Sequence, residues 1–272
     1  MQPTLFDFDT GNFLLNVTSY RFFGVLAAIY FLFFTVRILH QNGLSTTAKF
    51  TSSVMVALSF LIGSRILYSI LFFEQVLGDP QLLYSLQLIN FSLFGGLALA
   101  LFSWWLVTKW YQLPFLKLTD KLVPHAAVSL IFFRMGCFLN GCCFGKTTDL
   151  PWGVTFPRGS LSHKVQLTPN PFSFFSSPKA VHPTQIYEIL GVLIALFFAW
   201  FFWKKYKISG LMVTLFILLF TTGRIFIHFF RYYPESVVWS QTLQAPIMYG
   251  VIITSFMILA LLLFRKHYQL KL

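Results

Sequence analysis

Arg65, Arg134 and Arg224 each lie inside a long apolar stretch of this chain. A charged side chain at the centre of a bilayer costs about 3 kcal/mol on insertion scales, and more in some calculations. The same stretches hold no Asp or Glu, and Glu188, the nearest candidate, begins a different apolar run. Buried cations without buried anions imply that the missing negative charge arrives with a ligand. Inside a membrane the natural anion is a phospholipid headgroup. Guanidinium suits it, because its paired N–H donors grip a phosphate ester through two oxygens.

Three blocks carry the rest of the chemistry. One apolar run ends in Phe133-Arg134-Met135-Gly136-Cys137-Phe138-Leu139-Asn140-Gly141-Cys142-Cys143-Phe144-Gly145. Helical spacing puts Arg134, Cys137 and Gly141 on one face, where small residues allow a backbone or a headgroup to approach closely. A second run carries Thr221, Arg224, His228 and Arg231 as one polar stripe. Two guanidinium groups flanking an imidazole repel one another unless an anion sits among them. The third block is His182-Pro183-Thr184-Gln185-Ile186-Tyr187-Glu188, leading directly into an apolar run. Pro183 fixes the backbone there, and Thr184 is placed to cap the helix that follows. Cys137, Cys142 and Cys143 offer a disulfide, a soft-metal site with a nearby His, or simply small buried side chains. Their Cys-x4-Cys-Cys spacing is not a strong zinc signature, so no metal is assigned.

These blocks need a membrane scaffold. The chain is 57% hydrophobic and 10% charged, whereas soluble domains carry about 25% charged residues. Windows of roughly 20 apolar residues fit a bilayer core. Seven occur, at about 22–39, 53–73, 88–108, 123–140, 186–203, 209–230 and 244–264. The expected fold is an all-α integral membrane protein: a single transmembrane domain over 1–272 with seven spans. Residues 1–20 carry Asp7 and Asp9 and lack the pattern of a cleavable signal peptide.

The net charge of +12 is unevenly placed. Arg37, Lys49, Lys109, Lys117, Lys121, Lys204, Lys205, Lys207, Arg265, Lys266 and Lys271 fall on one side of the spans, with Asp120 alone against them. The other side holds Asp7, Asp9, Glu74, Asp79, Asp149, Glu188 and Glu235 against Arg21, Lys146, Arg158, Lys164, Lys179 and Arg231. The positive-inside rule then puts the N-terminus outside and the C-terminus in the cytoplasm. Basic charge spent on topology argues against nucleic acid as a partner. Between spans four and five, a loop or small head region at about 141–185 faces outward, with Pro151, Pro157, Pro169, Pro171, Pro178 and Pro183. Its Trp152, Phe156, Phe172, Phe174 and Phe175 point to packing rather than disorder.

Taken in order, the blocks resemble the prolipoprotein diacylglyceryl transferase family. Its signature, approximately Gly-Arg-x-Gly-Asn-Phe-x-Asn-Gly-Glu-x-x-Gly, is similar to Phe133 to Gly145, and Asp149 to Val154 continues the likeness. Its His-Pro-Ser-Gln-Leu-Tyr-Glu resembles His182 to Glu188. Its arginine and its Phe-Phe-Arg ending resemble Gly223-Arg224 and Phe229-Phe230-Arg231. Gly63 to Tyr68 is similar to its Gly-x-Arg-x-x-Tyr, and Phe94-Gly95-Gly96-Leu97 to its His-Gly-Gly-Leu. The chain departs from the pattern at Phe94 for His, Cys137 for Asn, Cys142 for Glu, His228 for Glu and Phe23 for Tyr. The arginines stay while several acid–base groups go.

The resemblance implies transfer of the diacylglyceryl group of phosphatidylglycerol to the lipobox cysteine of a prolipoprotein signal peptide, the first step of bacterial lipoprotein maturation. It implies a multi-pass protein of the bacterial cytoplasmic (inner) membrane, in contact with membrane lipids, with its site toward the outer leaflet and no cofactor. Arg134 and Arg224 are then expected to be catalytic, with His182 or His228 as the base that Phe94 cannot be. Arg65, Arg231, Asn140, Gly95, Gly96, Gln185, Tyr187 and Glu188 are expected to bind substrate. Two other readings stay open: a lipid-binding membrane protein without catalysis, and a thiol or metal protein using the three cysteines.

Overall fold

The structure, a computed structural model, describes residues 4–9, 14–83, 92–167, 177–233 and 245–269. In chain order these form β1 (Thr4–Asp9), β2 (Leu14–Thr18), α1 (Ser19–Gln41), α2 (Thr46–Leu71), α3 (Phe73–Gly78), a 3-10 turn (Pro80–Leu83) and α4 (Leu93–Trp110). There follow α5 (Phe115–Asn140), α6 (Leu161–Gln166), α7 (Thr184–Tyr206), α8 (Leu211–Phe230) and α9 (Ala245–Gln269). Over their described residues the seven apolar windows fall on α1, α2, α4, α5, α7, α8 and α9. Of these, α1, α2, α5, α7 and α8 are long and apolar enough to cross a membrane, and α9 adds a shorter apolar stretch at Tyr249–Arg265. A helix of 23 residues such as α1 rises about 35 Å, enough for a hydrocarbon core of about 30 Å.

The all-helical expectation needs one addition, the antiparallel pairing of β1 with β2 ahead of α1. Its signal is in the sequence, where Phe6 and Phe8 alternate with Asp7 and Asp9. Pro169, Pro171, Phe172, Phe174, Phe175, Glu235 and Lys271 lie outside the described residues.

The chain divides into two units, residues 31–122 and residues 1–30 with 123–272. In the first, α2 crosses α4 at glycine: a Cβ on Gly63 would strike the carbonyl of Gly95, and one on Gly95 the carbonyl of Gly63. Small residues at such a crossing let two backbones touch, the main source of helix association where lipid removes the hydrophobic drive. The amide of Ser92 donates to the Ser64 carbonyl at 2.9 Å and fastens the start of α4 to α2. Around Trp104, Leu118 and Leu39 this unit builds its own core, with the Trp104 indole N–H donating to Thr119 Oγ1 at 3.0 Å. Because the obstruction is backbone, Gly95→Leu forces the helices apart. A loss of about 1–3 kcal/mol, typical of overpacking, is expected as a lower unfolding temperature in detergent. An unchanged unfolding temperature would show that the crossing is not tight.

In the second unit, α7 packs against α8, and α8 against α9. Ala127 of α5, Ala195 and Ala199 of α7, and Met212 and Phe216 of α8 are buried in one cluster. The first part of α1 lies on α5, where Ser129 donates to the Ala27 carbonyl at 3.1 Å. The segment after α5 is tied down by strand-like bridges, Gly145 to Arg231 and Thr147 and Val154 to Val181. Beneath them Phe144, Phe156 and Val181 form a small apolar cluster. Of the aromatics expected to pack this segment, Phe156 is buried in that cluster and Trp152 is exposed.

Candidate active site

Helix α5 ends in a turn dictated by one glycine. Gly141 adopts φ +70°, a left-handed conformation that glycine enters without a Cβ penalty. Its amide donates to the Phe138 carbonyl at 3.2 Å, and the Cys142 amide reaches back to the Cys137 carbonyl at 3.1 Å. These two bonds define a Schellman cap, which brings the side chains at the Cys137 and Cys142 positions together. Cys143 follows, also left-handed at φ +61°. Gly141 therefore shapes the turn and faces the ring of Phe156, rather than leaving room for a headgroup as its helical spacing suggested.

The turn is held by the start of α7. Thr184 donates to the Cys143 carbonyl and Gln185 Nε2 to the Cys142 carbonyl, each at 2.6 Å. Thr184 thus caps the wrong partner for the sequence expectation: it satisfies the turn, and the N-cap position belongs to Pro183 without a side-chain bond. Gln185 is fully buried, and its Oε1 has no hydrogen-bond partner among the described residues.

One helical turn further along, the buried Glu188 corrects the opening premise. It is the counter-ion. Its carboxylate pairs with Arg134 from α5, with Arg224 from α8, and with Arg231 just past α8 at 3.3 Å. Arg224 also donates through Nη2 to the Tyr249 hydroxyl on α9, at 3.3 Å. Sequence read locally could not show this, because the anion comes from a different helix. The argument for an anionic ligand survives in smaller form. Three guanidinium groups against one carboxylate leave a net charge of +2 in a cluster where every side chain is at most 17% exposed.

The two candidate bases each lean on a tyrosine. His182 Nδ1 lies 3.1 Å from the Tyr187 hydroxyl, which also accepts from the Trp152 indole at 2.8 Å. His228 Nδ1 lies 2.9 Å from the Tyr233 hydroxyl. Burial, helped by the nearby Lys146 ammonium, holds His182 below the usual histidine range, so its ring is neutral at neutral pH. Tyr233 and Tyr249 were not singled out from the sequence, and Trp152 only for the packing of its segment, since an aromatic residue in an aromatic-rich chain carries no signal for a site until a partner is known.

The three cysteines are free, and their sulfurs all lie within 4.8 Å of one another. Cys137 is buried, with its sulfur 3.9 Å from Arg134 Nη1. Hydrogen bonds from Cys137 and Cys142 hold the Cys143 thiol well below its ordinary value, and Arg231 and Arg134 add to the effect. Asn140 closes α5 beside them, and the Cys142 thiol points to the Cys137 carbonyl at 3.6 Å. Arg134, Asn140, Gln185, Glu188, Arg224 and Arg231 thus meet in one unit, with His182, Tyr187 and His228 in the same unit. Arg65, Gly95 and Gly96 belong to the other unit, where Gly95 and Gly96 pack against Gly63 and Ser64.

Residues 8–266 match the family model described as prolipoprotein diacylglyceryl transferase. The chain belongs to that family. It is 31% identical over 261 residues to the phosphatidylglycerol–prolipoprotein diacylglyceryl transferase of Clostridium tetani, covering 94% of this chain and 96% of that one. It is 29% identical over 232 residues to transferase 2 of that name from Clostridium perfringens, covering 83% of each. The Pasteurella multocida protein of the same name is 27% identical over 273 residues, covering 93% of this chain and 94% of that one. Within the diacylglyceryl transferase frame, the blocks from Phe133 to Gly145, His182 to Glu188 and Gly223 to Arg231 are the three that build the arginine–glutamate cluster.

Proposed function

We propose that this chain transfers the diacylglyceryl group of phosphatidylglycerol to a prolipoprotein thiol, with the Arg134–Glu188–Arg224–Arg231 cluster as the phosphate site. The net +2 of that cluster carries the reading. A bound phosphodiester brings one negative charge. When the thiolate sulfur attacks the glyceryl carbon and the carbon–oxygen bond to phosphorus breaks, the electron pair leaves with glycerol phosphate, which approaches two negative charges near neutral pH. The cluster is better matched to the departing group than to the substrate, which is the condition for accelerating the step. Arg134 and Arg224 stabilise the growing charge, and Arg231 orients the phosphate.

The thiol proton goes to an imidazole, since Phe94 offers none at the position of the family's histidine. His182 and His228 are the candidates, each held by a tyrosine at Nδ1, and the base is the one whose Nδ1–H donates to that hydroxyl so that Nε2 can accept. Asn140, Gln185 and Tyr187 border the turn and the helix start where lipid enters. Arg65 is a candidate contact for a lipid headgroup in its own unit, where Gly95 and Gly96 serve the α2–α4 crossing. The seven helices and the one-sided basic residues support seven spans in the bacterial cytoplasmic membrane, with the C-terminus inside and the 141–185 segment at the outer leaflet. The acceptor is then a lipobox cysteine presented by a membrane-seated signal peptide.

The deciding experiment reconstitutes the chain in phosphatidylglycerol vesicles with a lipobox peptide. Peptide that gains the mass of a diacylglyceryl group, with glycerol phosphate released in equal amount, supports the transferase. Lipid binding without either product would leave a carrier that lacks catalysis.

A pH profile tests the base. An imidazole held below the usual value of about 6.5 stays unprotonated at and above that pH, so catalysis by His182 falls only as the pH drops further. The acid limb of the rate is expected below 6.5 and to vanish in His182→Gln. If instead His228→Gln removes the limb, His228 is the base.

A further inference from the structure

The geometry points to a metal site that the transfer reaction does not use: Cys137, Cys142 and Cys143 form a three-thiolate seat for a thiophilic cation such as Cu(I) or Zn(II). Three observations carry it. The three sulfurs already lie within 4.8 Å of one another. A metal at about 2.3 Å from each of three sulfurs places them about 4.0 Å apart, so the trio needs only a small contraction. Soft thiolate donors select Cu(I), Zn(II) and iron–sulfur clusters over hard cations. Among the described residues no His, Asp or Glu joins the group, which suits a three-coordinate ion or one with an open fourth position.

The second observation is that the backbone is built for this convergence. The Schellman bond from Cys142 to the Cys137 carbonyl stacks two of the thiols. The third is turned back onto them only because Cys143, a residue with a Cβ, is held at φ +61°. A left-handed non-glycine persists when its surroundings over-determine it. Here Thr184 and Gln185 clamp the carbonyls of Cys143 and Cys142 from α7.

The third is charge. Three thiolates repel one another; the bound cation offsets part of that charge, and the Arg134 guanidinium 3.9 Å from the Cys137 sulfur offsets more. Each coordinated sulfur gives up its thiol proton to solvent, and no electron moves. Cys137 is fully buried while Cys142 and Cys143 are half-buried, so the ion enters from their side.

The test uses the full chain, purified in detergent under reducing, oxygen-free conditions, and titrated separately with Cu(I) and with Zn(II). One ion per chain is expected, with a thiolate-to-copper absorption band for Cu(I). The loaded protein should resist alkylation at Cys142 and Cys143 at least tenfold better than the apo protein. This second readout requires no variant. Cys137→Ser, Cys142→Ser and Cys143→Ser should each weaken binding tenfold or more. The proposal fails if the reduced chain binds neither ion. It fails equally if the triple serine variant binds as well as the parent, or if alkylation is not slowed.

Discussion

Arg134→Ala and Arg224→Ala should each lower the rate of diacylglyceryl transfer a hundredfold or more. Both groups meet the leaving phosphate as its charge grows, and losing one such stabilising group typically costs about 3 kcal/mol of barrier. Lysine should rescue poorly at either position. An ammonium is a point charge and cannot repeat the paired donation of a guanidinium, nor can it reach Glu188 and Tyr249 together as Arg224 does. The measurement is initial transfer of labelled diacylglyceryl to a lipobox peptide in vesicles, with lipid binding followed in parallel. Loss of rate with binding retained places the effect in the transition state. Variants that keep full rate would remove the cluster from the mechanism.

Glu188→Gln should be more damaging to the fold than either arginine change. It leaves three guanidinium groups converging on a neutral amide in a buried setting, and removing one partner of a buried pair typically costs about 3–5 kcal/mol. The expected result is a large drop in unfolding temperature in neutral detergent, with part of it recovered when phosphatidylglycerol or another phosphate anion is added. That recovery is the informative part. A variant destabilised equally with and without anions would mean the cluster does not admit a phosphate.

Much of the scaffold was legible in the sequence, because a bilayer imposes a length on every apolar run. Over its described residues each of the seven windows falls mainly on one helix, with ends shifted by a few residues, as at 186–203 against Thr184–Tyr206. The short elements α3 and α6 were not foreseen, since six residues make too few turns to show a period. Neither was the pairing of Glu188, because ion pairing between helices leaves no local pattern. The block from His182 to Glu188 was legible as a unit, yet its division of labour was not. Thr184, Gln185 and Glu188 share one helical face and look toward the cysteine turn and the arginines, while Tyr187 turns to His182. Only the direction of α7 relative to α5 separates these roles.

A single carboxylate that joins α5, α7 and the end of α8 also constrains how such a sequence can drift. Replacing Glu188 first strands three cations, and replacing any one arginine first changes the charge seen by the other three side chains. Single steps away from the quartet pass through damaged intermediates, so the four positions are expected to vary together or not at all across relatives. The cysteines beside them bear no such burden, which leaves the turn after α5 free to acquire a chemistry of its own.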